Sequence, residues 1–222
     1  MWNEQAIYQL SPGCSIPHNK NRVFPSKVQN LDKSPVYYLY NHSPPFCYRE
    51  QAIFLNSLLL VAFHYEACVL SVNMGSSGLE TQDWAGRWKV GGSIYNGNRR
   101  DIRIRKPMGL AATHNKTFVT LFGVGNIIGI EKHSGQSSVF LSLEFVPRRL
   151  VVDPSNHFLY IGLQHGLAKC DVEDASTLGL LFGSKKSGSG IGSLSATQFD
   201  RVNGLVMMDD DTLLAADYFN DR

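Results

Sequence analysis

The side chains able to do chemistry are few and scattered. One stretch is strongly basic: Arg99-Arg100-Asp101-Ile102-Arg103-Ile104-Arg105-Lys106. Arg103 and Arg105 alternate with Ile102 and Ile104, so in an extended strand the two arginines share one face. Arg99, Arg100, Arg103 and Arg105 are therefore the candidate binding residues. The competing reading is a solvated strand edge, kept charged against unwanted edge pairing. No aromatic residues for base stacking alternate with these arginines, which favours that competing reading.

Catalytic and metal-binding constellations do not emerge. His114, His133, His157 and His165 fall in or beside expected turns at no common offset, so no Ser/His/Asp or Cys/His set forms from spacing. Cys14, Cys47, Cys68 and Cys170 include no CxxC and no Cys/His pair at zinc-ligand spacing, so a disulfide framework is not expected, although one bridge stays open. Cys170 lies among apolar residues, where a buried inert thiol is the default. Asp209-Asp210-Asp211 lacks the spacing of a dedicated calcium loop. Gly183, Gly188, Gly190 and Gly192 do not follow a strand and open a helix, as a phosphate-binding loop would. No catalytic residue, metal or cofactor is assigned. Asn115-Lys116-Thr117 is a glycosylation sequon in an expected turn, and Asn41-His42-Ser43 is a poorer one because Pro44 follows. A net charge of +2 over 222 residues implies neither a nucleic-acid protein as a whole nor an acidic tail.

The elements that would carry these residues repeat. Pro107, Pro147 and Val202 each precede a leucine by three residues: Leu110, Leu150 and Leu205. A polar turn follows (Thr113–Lys116, Asp153–Asn156, Asp209–Asp211), then a second apolar run at Thr117–Leu121, His157–Ile161 and Thr212–Ala216. Two short apolar runs around a turn rich in Asn, Asp and Pro predict a β-hairpin. Third runs follow at Asn126–Glu131 and Gly166–Asp171, and fourth runs at Ser138–Phe145 and Thr177–Phe182. Four short strands per period of about 40 to 50 residues match a propeller blade. The repeats lie near 107–142, 147–183 and 202–222.

The stretch from Phe199 to Arg222 resembles an NHL repeat. The resemblance rests on Asn203-Gly204-Leu205, Ala216-Asp217 and Asn220-Asp221-Arg222, with Asp221 where that family tends to have histidine. The lead-in recurs at Trp84-Ala85-Gly86, Gly91-Gly92-Ser93 and Asn96-Gly97, ahead of Pro107-Met108-Gly109-Leu110. The middle copy, Pro147-Arg148-Arg149-Leu150, has no glycine in that phrase. Gly109, Leu110, Leu150, Gly204, Leu205, Asp217 and Asn220 are thus the structural repeat positions. After a strand, Asp217 and Asn220 can bond local backbone amides and set the turn.

The resemblance implies an all-β fold, a partial NHL-type β-propeller of four-stranded antiparallel blades, commonly six to a ring. The chain contains two complete copies and half of a third, and is expected to be a fragment or a truncated gene model. The alternative is a short open β-solenoid that dimerises. For function, the resemblance implies a non-catalytic scaffold whose propeller loops contact protein partners. Some NHL propellers bind RNA through a basic face, which makes Arg99, Arg100, Arg103 and Arg105 the candidate RNA contacts. Some related six-bladed propellers are calcium-dependent hydrolases or lyases, the third reading.

Upstream of residue 76 the pattern changes. Residues 1–51 carry prolines at 12, 17, 25, 35, 44 and 45 and are expected to be irregular. Residues 52–72 have one charge, Glu66, in a length that could span a membrane. Lys20, Arg22, Lys27, Lys33 and Arg49 precede this segment, and the next cation is Arg87. A signal-anchor reading would put the N-terminus in the cytoplasm and the propeller outside. The alternative is a buried helix or strand, leaving the protein cytoplasmic. Thr81–Gly86 is expected as the outer strand of a preceding blade.

Overall fold

The computed structural model describes residues 49–55, 58–73, 80–183, 186–193, 196–209 and 212–222. The irregular region expected over residues 1–51 falls almost wholly outside them, with Cys14, Cys47 and the sequon at Asn41. Apart from two 3-10 turns, every described element is a strand.

Four antiparallel sheets follow one another along the chain. The first has the order β1 (Arg49–Leu55), β2 (Leu58–Phe63), β3 (Cys68–Asn73), β4 (Glu80–Gly86). The second contains β5 (Gly97–Asn98), β6 (Pro107–Ala112), β7 (Lys116–Leu121), β8 (Asn126–Glu131) and β9 (Gln136–Ser142), ordered β6-β7-β8-β9-β5. The third is β10 (Pro147–Val152), β11 (Phe158–Leu163), β12 (Gly166–Asp171), β13 (Gly179–Gly183). The fourth is the pair β14 (Val202–Met207) and β15 (Leu213–Asp217). These are blades of a partial β-propeller, and the sheets do not close into a ring.

Of the two readings of residues 52–72, the first blade agrees with the buried strand: residues 52–55 and 58–72 belong to the three inner strands, and to the turn joining β2 to β3, of the blade whose outer strand is β4. Among the described residues, blade strands are already present from Arg49, upstream of residue 76. Among the described residues no helix is long and apolar enough to cross a membrane. The apolar run has another cause. Leu60, Ala62 and Val69 face the second blade, while Val61, Phe63, Cys68 and Val72 form a cluster on the opposite side. A strand buried on both faces needs apolar residues at every position, so the alternation disappears. Glu66, the one charge, sits in the β2–β3 turn, where its carbonyl accepts a hydrogen bond from the Lys89 amide at 2.6 Å.

Stacking of blade on blade repeats down the chain. Leu110, Val119, Leu121, Ile128 and Ile130 complete the core shared with the first blade. Their neighbours Ala111, Phe118, Ile127 and Leu141 point the other way, onto Leu150, Leu159, Ile161 and Cys170 of the third blade. Val151 and Leu167 then meet Val202 and Leu205 of the fourth. Period-two burial in both directions is how each sheet serves two interfaces.

The innermost strands share a further device. Register shifts lie between Arg49 and Ala52, Pro107 and Leu110, Pro147 and Arg149, and Val202 and Gly204. The bulge makes Gln51, Gly109, Arg149 and Gly204 equivalent, so a long polar side chain alternates with glycine. Gln51 donates from Nε2 to the Leu150 carbonyl (3.1 Å) and accepts from the Leu110 amide (3.1 Å). Arg149 donates from Nε to the Asn203 carbonyl (2.9 Å) and from Nη1 to the Met108 carbonyl (3.3 Å). Gly109 is needed where it stands: a Cβ there would lie 2.4 Å from the Arg148 carbonyl oxygen. Thr120 completes the seam, accepting from the Gly109 amide (2.6 Å) and donating to the Arg148 carbonyl (2.9 Å).

Candidate functional site

The four candidate arginines lie on the segment that leads from β4 to β6. Ile102 and Ile104 are fully buried between the first two blades, and Arg103 and Arg105 alternate with them outward, as expected of extended chain. The segment is not a regular strand. Its one bridge joins Arg103 to Ile94, with reciprocal amide–carbonyl bonds of 2.8 and 3.0 Å. Arg103 also turns Nη1 back onto the carbonyls of Asp101 (3.3 Å) and Ile102 (3.4 Å).

Arg99 and Arg100 sit elsewhere, at the lower rim of the second blade. (The lower end carries turns 113–115, 132–135 and 153–157; the upper end carries turns 64–67, 122–125 and 164–165.) The short strand β5 pairs with β9 through Gly97 with Ser137 and Asn98 with Gln136. The Arg99 amide then donates to the Gly135 carbonyl at 2.8 Å. Ser137 locks this join by donating Oγ to the carbonyls of Tyr95 (2.6 Å) and Gly97 (3.2 Å). The result is a cavity of about 240 Å³ lined by residues 98–100 and 132–135. The Arg99 guanidinium carbon stands 5.0 Å over the Trp84 ring. Burial, and then the neighbouring Arg100, pull the Arg99 pKa below the usual arginine value; burial does the same for Lys132. The Lys132 ammonium is anchored on the Thr113 carbonyl.

The cavity unites residues that sequence reasoning kept apart. Lys132, His133 and Gly135 were not paired with the basic run, because only the two-residue β5–β9 join brings them together. Trp84 supplies the aromatic partner absent from the run itself. Arg103 and Arg105 do not line this cavity.

A second exposed cluster, at the upper end, was also missed. Tyr65 is 60% exposed and Val124 43%. His64 packs against Tyr65 (ring centroids 4.9 Å) and Phe122 (5.6 Å), and Phe122 is flanked by Arg148 at 5.4 Å and Lys106 at 5.9 Å. The signal was hidden because the turn 64–67 sat inside a presumed continuous apolar segment.

The repeat positions are structural throughout. Leu110 and Leu150 are fully buried and Leu205 nearly so. Asp217 is buried, and its carboxylate accepts from the Asp200 amide (2.7 Å), Asn220 Nδ2 (2.7 Å) and Arg222 Nε (3.0 Å). Asn220 donates to the Gly188 carbonyl (2.8 Å), and Arg222 to those of Ser189 (3.0 Å) and Gln198 (2.6 Å). The strand ending thus clamps the Gly/Ser connection as well as its own turn. Asn115 is exposed at the β6–β7 turn, with Thr117 fully buried behind it. His114, His133 and His157 are exposed near the lower end, whereas His165 is half-buried at the upper end, 4.0 Å from Asp200. Among the described residues no three His, Cys, Asp or Glu side chains converge as a metal site. Burial, and then Asp171, raise the Cys170 thiol from 9.0 to about 11.

No protein-family model and no curated protein matches the chain. Solved structures do. An auxiliary nutrient binding protein from Bacteroides thetaiotaomicron aligns with a TM-score of 0.57 at 10% identity, over 76% of this chain and 42% of that one. A nidogen/laminin complex gives a TM-score of 0.49 at 16% identity, over 68% and 48%, and hydrazine synthase of Kuenenia stuttgartiensis gives 0.48 at 11%, over 72% and 38%. The chain spans less than half the length of each of these chains. At such identities the likeness concerns fold alone. The likeness to the nutrient binding protein agrees with the blade geometry: this chain is a stretch of β-propeller.

Proposed function

We propose that this chain is part of an NHL-type β-propeller with a non-catalytic binding role, and that its upper loops contact a protein partner. The NHL assignment is supported by the buried Asp217 with Asn220 and Arg222, which clamps the inter-blade connection. The observation that carries the binding role is the upper cluster, where exposed Tyr65 and Val124 stand on the turns that carry His64 and Phe122, the two rings being in contact at 5.6 Å, with exposed Lys106 beside Phe122. Aromatic residues are among the types enriched at protein-interface centres. The fold shared with a nutrient binding protein supports binding in general.

The test is affinity capture with the purified chain, comparing Tyr65→Ser/Val124→Ser with His114→Ser/His157→Ser at the opposite end. A saturable protein partner lost only with the first pair is expected. Equal loss with both pairs, or no saturable partner, overturns the reading.

RNA binding is the second reading, favoured by the outward projection of Arg103 and Arg105 beside exposed Lys106. It requires affinity that falls steeply with salt and is abolished by changing Arg99, Arg100, Arg103 and Arg105 to Glu. Salt-insensitive binding would sink it.

A further inference from the structure

We propose that the rim cavity between residues 98–100 and 132–135 binds a single phosphate- or sulfate-type oxyanion, free or as the terminal group of a small molecule. Three features of the cavity lead there. Its lining includes Arg99, Arg100 and Lys132 and no carboxylate. The nearest acids lie outside the lining: Asp101 is exposed, 3.6 Å from Arg87, and Glu131 is 3.8 Å from a Lys116 that also pairs with Glu173. Clustered cations without a counter-charge repel one another, and a bound anion relieves that repulsion.

The Arg99 side chain is also held: its guanidinium stacks over Trp84, its amide donates to the Gly135 carbonyl, and its Nε is buried without a hydrogen-bond partner. A buried, unsatisfied guanidinium N–H is costly unless something accepts from it. Gly135 marks the point of convergence. Its φ of +71° suits glycine, and a Cβ built there would stand 3.6 Å from both Arg99 Nη1 and Asn98 Nδ2. Guanidinium and amide donors meeting over a position with no side chain make a cradle for a tetrahedral oxyanion.

The pocket is open to solvent and has room for a small ligand. About 240 Å³ holds an oxyanion and a small attached group. Arg103 and Arg105 do not line the cavity, so this is a pocket for one group rather than a track for a polynucleotide backbone. No residue lining the site belongs to the upper cluster, so it stands or falls independently of the protein-binding reading.

Calorimetric titration of the whole chain with inorganic phosphate, sulfate, phenyl phosphate and acetate tests the proposal. Saturable binding of phosphate and sulfate is expected, with acetate much weaker; phenyl phosphate binding at least as tightly as phosphate would identify a monoester as the natural form. Arg100→Gln should weaken phosphate about tenfold and Arg99→Gln by at least as much. Arg100 is exposed, its one side-chain hydrogen bond being to Gln82 Oε1 at 3.5 Å, so Arg100→Gln remains informative if Arg99→Gln fails to fold. Absence of saturable phosphate binding, or unchanged affinity in Arg100→Gln, overturns the proposal. So does a 5′-hydroxyl oligoribonucleotide that competes with phosphate and depends equally on Arg103 and Arg105, because it would make the cavity part of a backbone track.

Discussion

Arg149 shows how one residue can hold neighbouring blades. Its guanidinium joins the Met108 carbonyl of the second blade to the Asn203 carbonyl of the fourth, and it is only 3% exposed. Removing it leaves two buried carbonyls and a void at the inner strands. Arg149→Ala is therefore expected to lower unfolding stability by about 3 kcal/mol in a denaturant titration. Arg149→Lys should recover only part of this, since an ammonium cannot present two forked donors to separate strands. A loss below about 0.5 kcal/mol would show that the bridge is idle. Cys170 makes a second residue-scale prediction. Its folded pKa, about 11, exceeds the ordinary 9.0, so the native state favours the neutral thiol. The stability this contributes is complete below pH 9 and is lost as pH rises through 11. The measurement is the difference between wild type and Cys170→Ala, which removes the other groups titrating in that range. The gap between them should narrow from pH 9 to 11, and native Cys170 should resist alkylation at pH 8 until denaturant is added.

Among the elements, the connection between the third and fourth blades depends on a strand ending. Asp217 spans from the Asp200 amide to Arg222, and Arg222 and Asn220 reach back to carbonyls of residues 188, 189 and 198. Asp217→Ala breaks three hydrogen bonds to a buried carboxylate, one of them from the Arg222 guanidinium. It should cost about 3 kcal/mol and speed proteolytic cutting within residues 184–198. Unchanged cleavage there would mean that the clamp is not what orders the connection. The residues of this ending were legible in the sequence, but not their reach: Asp217 and Asn220 were expected to bond local amides, whereas Asp217 accepts from the amide of Asp200 and Asn220 donates to the carbonyl of Gly188, both on the preceding connection. The hairpin frame was legible too: the runs at Asn126–Glu131 and Gly166–Asp171 coincide with β8 and β12. The first blade was not. Its strands pack on both faces, so Ala52 to Val72 lost the period of two and took on the length of a membrane span. Its inner strand also carries Gln51 where the recognised copies have glycine or arginine, which concealed a fourth copy of the bulge. The rim cavity was illegible for a different reason: two residues of β5 pairing with β9 leave no periodic trace.

For the molecule as a whole, the stacking that stabilises the inner blades leaves the fourth sheet covered on one side. Leu205 and Val202 pack onto the third blade, whereas Leu214 is 49% exposed on β15 and Met208 64% exposed just beyond β14. Among the described residues the outer side of β15 has no strand partner. An apolar sheet face beside an unpaired strand edge is a template for association. The chain taken alone should therefore self-associate in a concentration-dependent manner by sedimentation velocity. Leu214→Glu should shift it toward monomer with no change in far-ultraviolet circular dichroism, because Leu214 makes no contribution to the buried clusters. Leu205→Glu, one strand over and facing inward, should instead unfold the fourth sheet, because it would bury a charge against Val151 and Leu167. The contrast separates an open blade face from general stickiness. A wild-type chain that stays monomeric at all concentrations, or a Leu214→Glu variant that associates as strongly, would show that this face is not what seeks a partner.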